Sequence, residues 1–296
     1  MRIVILSRNP ALYSTQSLVN AARERGHLVQ VVDHMQCDIV IEKSNPQVFF
    51  QDKVIENVNA IIPRIGTSAT SYGAAIIRQF EAQKVFTTLS SQALLTARDK
   101  LSSLQLLAAE GVGVPKSVIS NNYLVFNEML EKIEGYPKII KLAKGTHGLG
   151  VILSENRQNA ESILEAFHKV KQQLIIQEFI EEAEGADIRV FIVDDKIVGV
   201  MERKAKEGEF RSNLHRGATS RVVQLTAEEE QVSKKAAKIM GLSVAGVDML
   251  RSKRGPLVLE VNASPGLEGI ETTTGVDIAG KIIQFLERNG QSNWRK

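Results

Sequence analysis

The chain has 296 residues, 43% hydrophobic and 24% charged, with a net charge of 37 minus 34, or +3. This is an ordinary globular composition, long enough for two domains, and the charge is too small to argue for wholesale nucleic-acid binding. The single cysteine, Cys37, excludes an internal disulfide, and five scattered histidines lack zinc-ligand spacing, which points to a reducing compartment, the cytoplasm.

Arg2 to Ser7 (RIVILS) reads as a buried strand, a short apolar run ended by Arg8 rather than a signal peptide. No apolar run approaches membrane-spanning length. A helical pattern through Leu18, Ala21 and Ala22 stops at Gly26, and HLVQVVD supplies a second strand, so the chain opens on a βαβ unit with a parallel sheet. NAIIPRIG, Asn59 to Gly66, is another strand running into a polar loop, with Tyr72 to Phe80 as the helix behind it. Ligands collect at the carboxyl ends of strands in open α/β sheets, which places Ser7, Arg8, Arg64, Gly66 and Thr67 on a ligand-facing rim. Taken singly, each is equally well read as a solvated loop residue. No GxGxxG follows the first strand, so a dinucleotide-binding domain is not expected.

Between Ser90 and Ala97 a polar, alanine-containing link separates this domain from the next. Thr96 with Asp99 has the form of a capping box for a helix with an apolar stripe of Leu101, Leu104, Leu107 and Ala108, stopped by Gly111. Lys100 sits in its first turn, where the helix dipole favours an acid; a bound anion would account for it, as would a tolerated surface lysine. PKIIKL is a strand with Lys141 near its end and Lys138 apart from it, followed by the loop Gly145 to Gly150. Glycines there let backbone N–H groups approach a phosphate, although a plain hairpin tip uses the same residues. No GK[ST] follows, which excludes a Walker A loop. A helix from Asn159 to Val170 leads to a strand from Leu174 to Ile180, and DIRVFIVDDKIVGVMERKA gives two antiparallel strands around Asp194 to Lys196. Arg203 to Arg216 reads as a polar loop with Arg203, Lys204, Lys206, Arg211 and Arg216 against Glu207 and Glu209, suited to phosphate or carboxylate or simply solvated. Thr226 and Glu229 form a capping box on a helix ended by Gly241.

VAGVDML, Val244 to Leu250, and LVLEVNASPG, ending at Gly266, are strand-type runs joined by six turn residues, RSKRGP. A hairpin symmetric about Arg254 places Asp248 opposite Glu260, and two carboxylates about 5 Å apart repel unless a cation lies between them. Asn262, two residues on, shares the face and adds a third oxygen. The pattern reads as a magnesium site, with edge-strand acids facing water as the alternative. A loop, LEGIETTTGV, then leads to a last helix capped by Asp277, with Ile278, Ile282, Phe285 and Leu286 in the core, and QSNWRK is a tail.

No motif is decisive alone; their order carries the weight. A lysine at a helix start, a strand lysine before a glycine loop, a strand ending QEFI, a basic loop and an Asp/Glu/Asn hairpin together resemble the ATP-grasp superfamily. The similarity is closer still to RimK-type ligases and spans essentially the whole chain, from MRIVILS through PRIG and RDK to KEGEFRSNLHRGA and EVNASPGLEGIE. The resemblance implies a mixed α/β and α+β chain: an N-terminal parallel α/β pre-ATP-grasp domain (1–95), then a two-subdomain ATP-grasp fold. Its central subdomain (96–180) carries the glycine loop, its C-terminal subdomain (181–290) the metal site, and 291–296 is the tail. By the same resemblance Lys100 and Lys141 reach the ATP phosphates, the loop of Gly145, Gly148 and Gly150 folds over them, and the backbone of Glu178, Phe179 and Ile180 meets adenine. Asp187 would face the nucleotide and Arg211, Ser212 and Asn213 would close the site. Asp248, Glu260 and Asn262 would hold two magnesium ions, with manganese able to substitute. Arg203 is the candidate clamp for an acyl phosphate, since a planar fork suits both carboxylate and phosphate. Arg8, Arg64 and Arg216 are candidates for substrate binding, and His147, between the loop glycines, either contacts a phosphate or is merely exposed.

The implied reaction is ATP-dependent addition of L-glutamate to the C-terminus of the sixth protein of the small ribosomal subunit, with free oligoglutamate as a side product. The carboxylate is phosphorylated and an amine then attacks it, chemistry that needs positioning and positive charge rather than a protein nucleophile. No direct nucleic-acid or membrane contact is expected, and self-association to a homo-oligomer stays open. The rivals are γ-glutamyl or amino-acid ligation onto a small cofactor or carrier protein, and a non-catalytic nucleotide-binding regulatory module. The intact Asp248, Glu260 and Asn262 set argues against the last.

Overall fold

A computed structural model describes residues 1–120, 125–143, 150–169, 173–214 and 217–290. RIVIL forms β1 (Arg2–Leu6), in which Ile3 to Leu6 are fully buried, as a strand covered on both faces requires. Helix α1 (Tyr13–Glu24) crosses to β2 (Leu28–Val32). A small antiparallel sheet of β3 (Cys37–Val40), β4 (Gln47–Phe50) and β5 (Lys53–Val54) is inserted before β6 (Ala60–Pro63). Helix α2 (Thr70–Ala82) and β7 (Phe86–Thr87) complete a parallel sheet in the order β2-β1-β6-β7.

The stretch expected as a link is helical. Helix α3 (Ser91–Arg98) is capped by Ser90, whose Oγ accepts from Ala93 N at 3.1 Å. Helix α4 (Lys100–Ala109) follows, capped by Asp99, which accepts from Ser102 N at 3.0 Å. Thr96 therefore lies inside α3 and is no cap. Polar side chains that cap a helix look like linker residues until the second helix start is recognised.

The central antiparallel sheet, in the order β10-β9-β11-β8, consists of β8 (Ser117–Ile119), β9 (Lys138–Leu142), β10 (Val151–Ser154) and β11 (Leu174–Glu178). With α5 (Phe126–Glu131) and α6 (Arg157–Lys169) it encloses its own core, which includes Leu130, Ile140, Ala160, Leu164 and Ile176. The last sheet, antiparallel in the order β14-β13-β12-β15-β16, consists of β12 (Ala186–Val193), β13 (Lys196–Lys204), β14 (Thr219–Val222), β15 (Val244–Ser252) and β16 (Gly255–Asn262). Helix α7 (Ala227–Ile239) begins on the expected Thr226–Glu229 capping box, and α9 (Ile278–Gly290) receives the Asp277 cap through Gly280 N at 2.7 Å. The expected loop LEGIETTTGV is instead mostly α8 (Glu268–Thr274), whose Thr273 and Thr274 hydroxyls donate back to the Gly269 and Ile270 carbonyls.

Alternation along β12 sends Ile188, Val190 and Ile192 into a core shared with α2, α3 and α7, and Phe191 and Val193 into one shared with α1, α8 and α9. Burying each such side chain stabilises by about 1.5–3 kcal/mol. The N-terminal sheet and the last sheet are thus one packed body, and the central sheet keeps a core apart from it. Among the described residues no helix is long and apolar enough to cross a membrane.

Candidate active site

The β15–β16 turn has two residues, Lys253 and Arg254, rather than six, because Ser252 already pairs with Gly255. That turn alone would set Leu259 opposite Asp248. A bulge at Leu259 adds one residue to β16, so Asp248 faces Glu260 and Gly246 faces Asn262. The expected juxtaposition of acids is present, produced by the bulge and not by symmetry about Arg254. Its place is fixed by packing: Val258 and Val261, three residues apart, enter the same core, which an unbroken strand would forbid. Glu260 is exposed, Asn262 is half-buried, and Asp248 is 7% exposed.

Asp248 also faces Arg189 on β12, and two residues back Asp187 faces Arg203 on β13. Arg189 Nε and Nη2 donate to the two Asp248 oxygens at 2.7 and 2.6 Å. Arg203 holds Asp187 in the same two-pronged way and reaches Asp248 Oδ2 with Nη2 at 2.9 Å. Burial works against ionisation of Asp248, but Arg189 and Arg203 outweigh it and hold the carboxyl at about 2. Ser212 hydrogen-bonds Asp187. Arg203 and Lys204 belong to β13, not to a polar loop, and Arg203 is 4% exposed with Nε and Nη2 engaged. Any contact from Arg203 to a ligand therefore falls to Nη1. Arg189 was not singled out from the sequence; its signal was a charged pair, Asp187 and Arg189, at the two-residue spacing of one face in an otherwise apolar strand.

Lys100 is the first residue of α4, and its Nζ donates to Leu142 O at 3.2 Å. Lys141 Nζ donates to Gln177 Oε1 at 2.6 Å. Burial pushes the Lys141 ammonium down to about 8, the charge of Lys100 adds to the drop, and Glu260 opposes it. Burial also lowers Lys100 and Arg98, again against Glu260. Three cations thus sit within electrostatic reach of one exposed carboxylate. Lys138 is separate, fully buried with Nζ on the Ile133 and Gly135 carbonyls, a structural role.

The N-terminal rim borders this cluster. Arg98 donates to Ile65 O at 2.6 Å and to Thr67 Oγ1 at 3.3 Å, Arg64 to Pro265 O at 2.7 Å, and Arg8 to Ser68 Oγ at 3.1 Å. Burial, with Arg98 adding to it, pushes Arg64 down to about 10. At the other end of the hairpin, the Glu178 carboxylate accepts from Lys116 N and Arg254 Nη2, both at 2.6 Å, and Glu182 accepts from Lys253 N at 3.0 Å. The Glu178 N–H is taken by Lys116 O at 3.0 Å, and Ile180 packs on Leu257. Arg211 is paired with Glu209 at 2.9 and 2.7 Å. Gly150 has φ +72°, and a side chain there would collide with Leu142. Gly145, His147, Gly148 and Arg216 lie outside the described residues. A cavity of about 490 Å³ is lined by Ile188, Glu202, Arg221 and Arg251, which alternate away from the face that carries Asp248, and also by Asp187.

Comparison with known proteins agrees over the full length. The RimK pre-ATP-grasp family matches residues 1–94 and the RimK-like ATP-grasp family residues 97–286. A probable alpha-L-glutamate ligase of Hahella chejuensis (strain KCTC 2396) is 52% identical over 98% of this chain and 96% of its own, and one of Pseudomonas aeruginosa (strain UCBPP-PA14) is 51% identical over the same shares. Among solved structures, the ATP-grasp ligase PsnB with minimal precursor, Mg and ADP superposes with a TM-score of 0.75 at 20% identity, covering 98% of each chain. The Bacillus anthracis D-alanine–D-alanine ligase with ATP gives a TM-score of 0.71 at 20% identity, covering 99% of this chain and 98% of that one, and both establish likeness of fold. A lysine on the central sheet, a second at the start of α4 and facing acids on the last sheet, in a chain matched by both family models over 1–94 and 97–286, place this protein in the RimK-like ATP-grasp family, as an ATP-dependent ligase.

Proposed function

We propose that the protein adds L-glutamate to the C-terminus of an acceptor protein, the small-subunit ribosomal protein named above, through an acyl phosphate. The observation that carries this reading is the facing pair Asp248 and Glu260 within electrostatic reach of Lys100, Lys141 and Arg98: an acid set suited to a metal beside three half-buried cations. Relatives about half identical over nearly the whole chain are named as probable alpha-L-glutamate ligases, which supports glutamate as the amino acid. The sequence division at about residue 95 is retained, with the central subdomain closing on the other two.

The donor set fits magnesium. Glu260 is an exposed carboxylate with no ion pair among the described residues, Asn262 adds an amide oxygen on the same face, and Asp248 stands across the ladder. Magnesium favours such a site of one or two carboxylates completed by phosphate oxygens. When bound, it withdraws charge from the transferring phosphoryl group.

The chain's own residues do the rest. Lys100 and Lys141 lie where the β- and γ-phosphates of ATP would approach, and their depressed basicity is reversed by an anion between them. Phe179 and Ile180, beyond the satisfied amide of Glu178, meet the adenine edge. Arg8 and Arg64 hold the carboxylate to be activated, and Arg203 Nη1 faces the acyl phosphate. A carboxylate oxygen attacks the γ-phosphorus of ATP and ADP leaves; the amine then attacks the acyl carbon, gives up a proton to the departing phosphate or to water, and phosphate leaves with the bonding pair. Water is kept out by closure of the central sheet, since an acyl phosphate hydrolyses if it is not protected.

The test is incubation of the purified protein with ATP, magnesium and a panel of amino acids, with and without the ribosomal protein, following ADP and mass. ADP formation with mass steps of one glutamyl residue is expected. No ADP under any combination removes the enzyme reading, and steps of another residue overturn glutamate.

A further inference from the structure

Arg189 is absent from the ATP-grasp roles assigned above, yet it grips the best-buried acid of the metal hairpin. It stands directly across the ladder from Asp248 and bonds both carboxylate oxygens at 2.7 and 2.6 Å, while Arg203 adds a third bond at 2.9 Å. A carboxylate offers about four lone-pair directions. The three bonds leave one, on Oδ1, for a metal. The charges of Asp187, Asp248, Arg189 and Arg203 cancel, so the protein brings one uncompensated negative charge to the site, that of Glu260, within reach of the positive Arg98, Lys100 and Lys141. A field of that sign repels a divalent cation that arrives alone. It attracts a polyphosphate, whose own charge then makes the site hospitable to the metal.

We propose that Arg189 is a positioning residue that makes metal binding conditional on nucleotide: by neutralising Asp248 it keeps a divalent cation out until a polyphosphate supplies the missing negative charge. The proposal rests on the metal reading of Asp248, Glu260 and Asn262. It separates the roles of the two acids. Glu260 is the acid free to take the metal at once, and Asp248 is a ligand held in reserve by its guanidinium.

The test uses Mn2+ as the probe with the full chain, its free concentration read by electron paramagnetic resonance, with and without ADP. Wild-type protein should bind Mn2+ on the order of tenfold or more tightly with ADP than alone, within the usual range of coupling between sites. Arg189→Gln should tighten Mn2+ binding in the absence of ADP and shrink that coupling by a similar factor, because the charge of Asp248 is then no longer cancelled by Arg189. Arg189→Lys, which keeps the charge but not the two-pronged grip, should lie between the two. Unchanged or weaker Mn2+ binding by a folded Arg189→Gln protein would overturn the proposal. The wild-type arm does not depend on any variant folding: equal affinity for Mn2+ with and without ADP overturns it as well. Glu260→Gln distinguishes the deeper failure. If nucleotide-dependent Mn2+ binding survives that change, the metal reading itself is wrong and the proposal goes with it; if it is lost while Arg189→Gln behaves as wild type, only the role of Arg189 is overturned.

Discussion

Asp248 and Glu260 face each other across β15 and β16, one buried and bound by two arginines, the other exposed and free of ion pairs among the described residues. Their different surroundings predict different consequences of losing each charge. Glu260→Gln removes a group that supports no packing, so folding stability should stay within about 0.5 kcal/mol. Turnover should fall on the order of 100-fold or more, since a metal contributes several kcal/mol to the transition state. Thermal melting beside ADP release measures both, and retention of normal turnover removes Glu260 from the metal site.

Asp248→Asn should behave in the opposite proportion. It leaves the Arg189 guanidinium, with its side chain 15% exposed, without its partner, and breaking a buried pair from one side costs about 3–5 kcal/mol. Urea unfolding should show the loss at neutral pH. The folded carboxyl is held at about 2 against an ordinary 3.8, so its contribution is complete above pH 4 and disappears as the pH falls toward 2. Wild type should therefore lose stability across that acid window more steeply than Asp248→Asn. Parallel curves would show that the arginine grip does not stabilise the fold.

Lys141 predicts a limit on the alkaline side. With its ammonium at about 8, kcat/KM for ATP should fall as the pH rises through 8, because the free enzyme loses the charge that meets phosphate. Lys141→Arg should carry that limb out of the accessible range, arginine remaining charged. Stability without nucleotide should run the other way: the unfolded chain binds the extra proton between about pH 8 and 10.5, so the folded form gains over that interval. A limb near 8 that survives in Lys141→Arg belongs to another group.

Arg64 predicts a split between substrates. Its guanidinium is anchored to the Pro265 carbonyl at the N-terminal rim, and it has no ion pair among the described residues. Arg64→Met should raise KM for the carboxylate substrate roughly 10- to 100-fold, the worth of a hydrogen bond to a charged group, with KM for ATP changed by less than about threefold. Equal changes in both would place Arg64 in the scaffold instead.

Much of this was legible from residue order. The β1-α1-β2 opening and the capping box at Thr226 follow from local periodicity and turn chemistry, whereas the Asp248–Glu260 pairing, expected from a six-residue turn, is produced by a bulge instead. Helices α3 and α8 did not, because alanine, serine and threonine serve helix caps and loops alike, and only the following backbone bonds decide between them. Arg189 was hidden for another reason. Its partner lies 59 residues away in sequence, and nothing in DIRV alone says which acid will stand across the ladder. The bulge at Leu259 was equally hidden, since it is enforced by two valines seeking one core.

The hairpin is fastened at both ends by different parts of the molecule. Its base is buried beneath α3 and α7, whereas its tip is tied through Arg254 to Glu178, the last residue of the central sheet's strand β11, and through Lys253 to Glu182 in the helical turn that follows it. The hairpin therefore joins the central sheet to the packed body that carries Glu260, and the two cannot shift apart without breaking the Arg254–Glu178 and Lys253–Glu182 bonds.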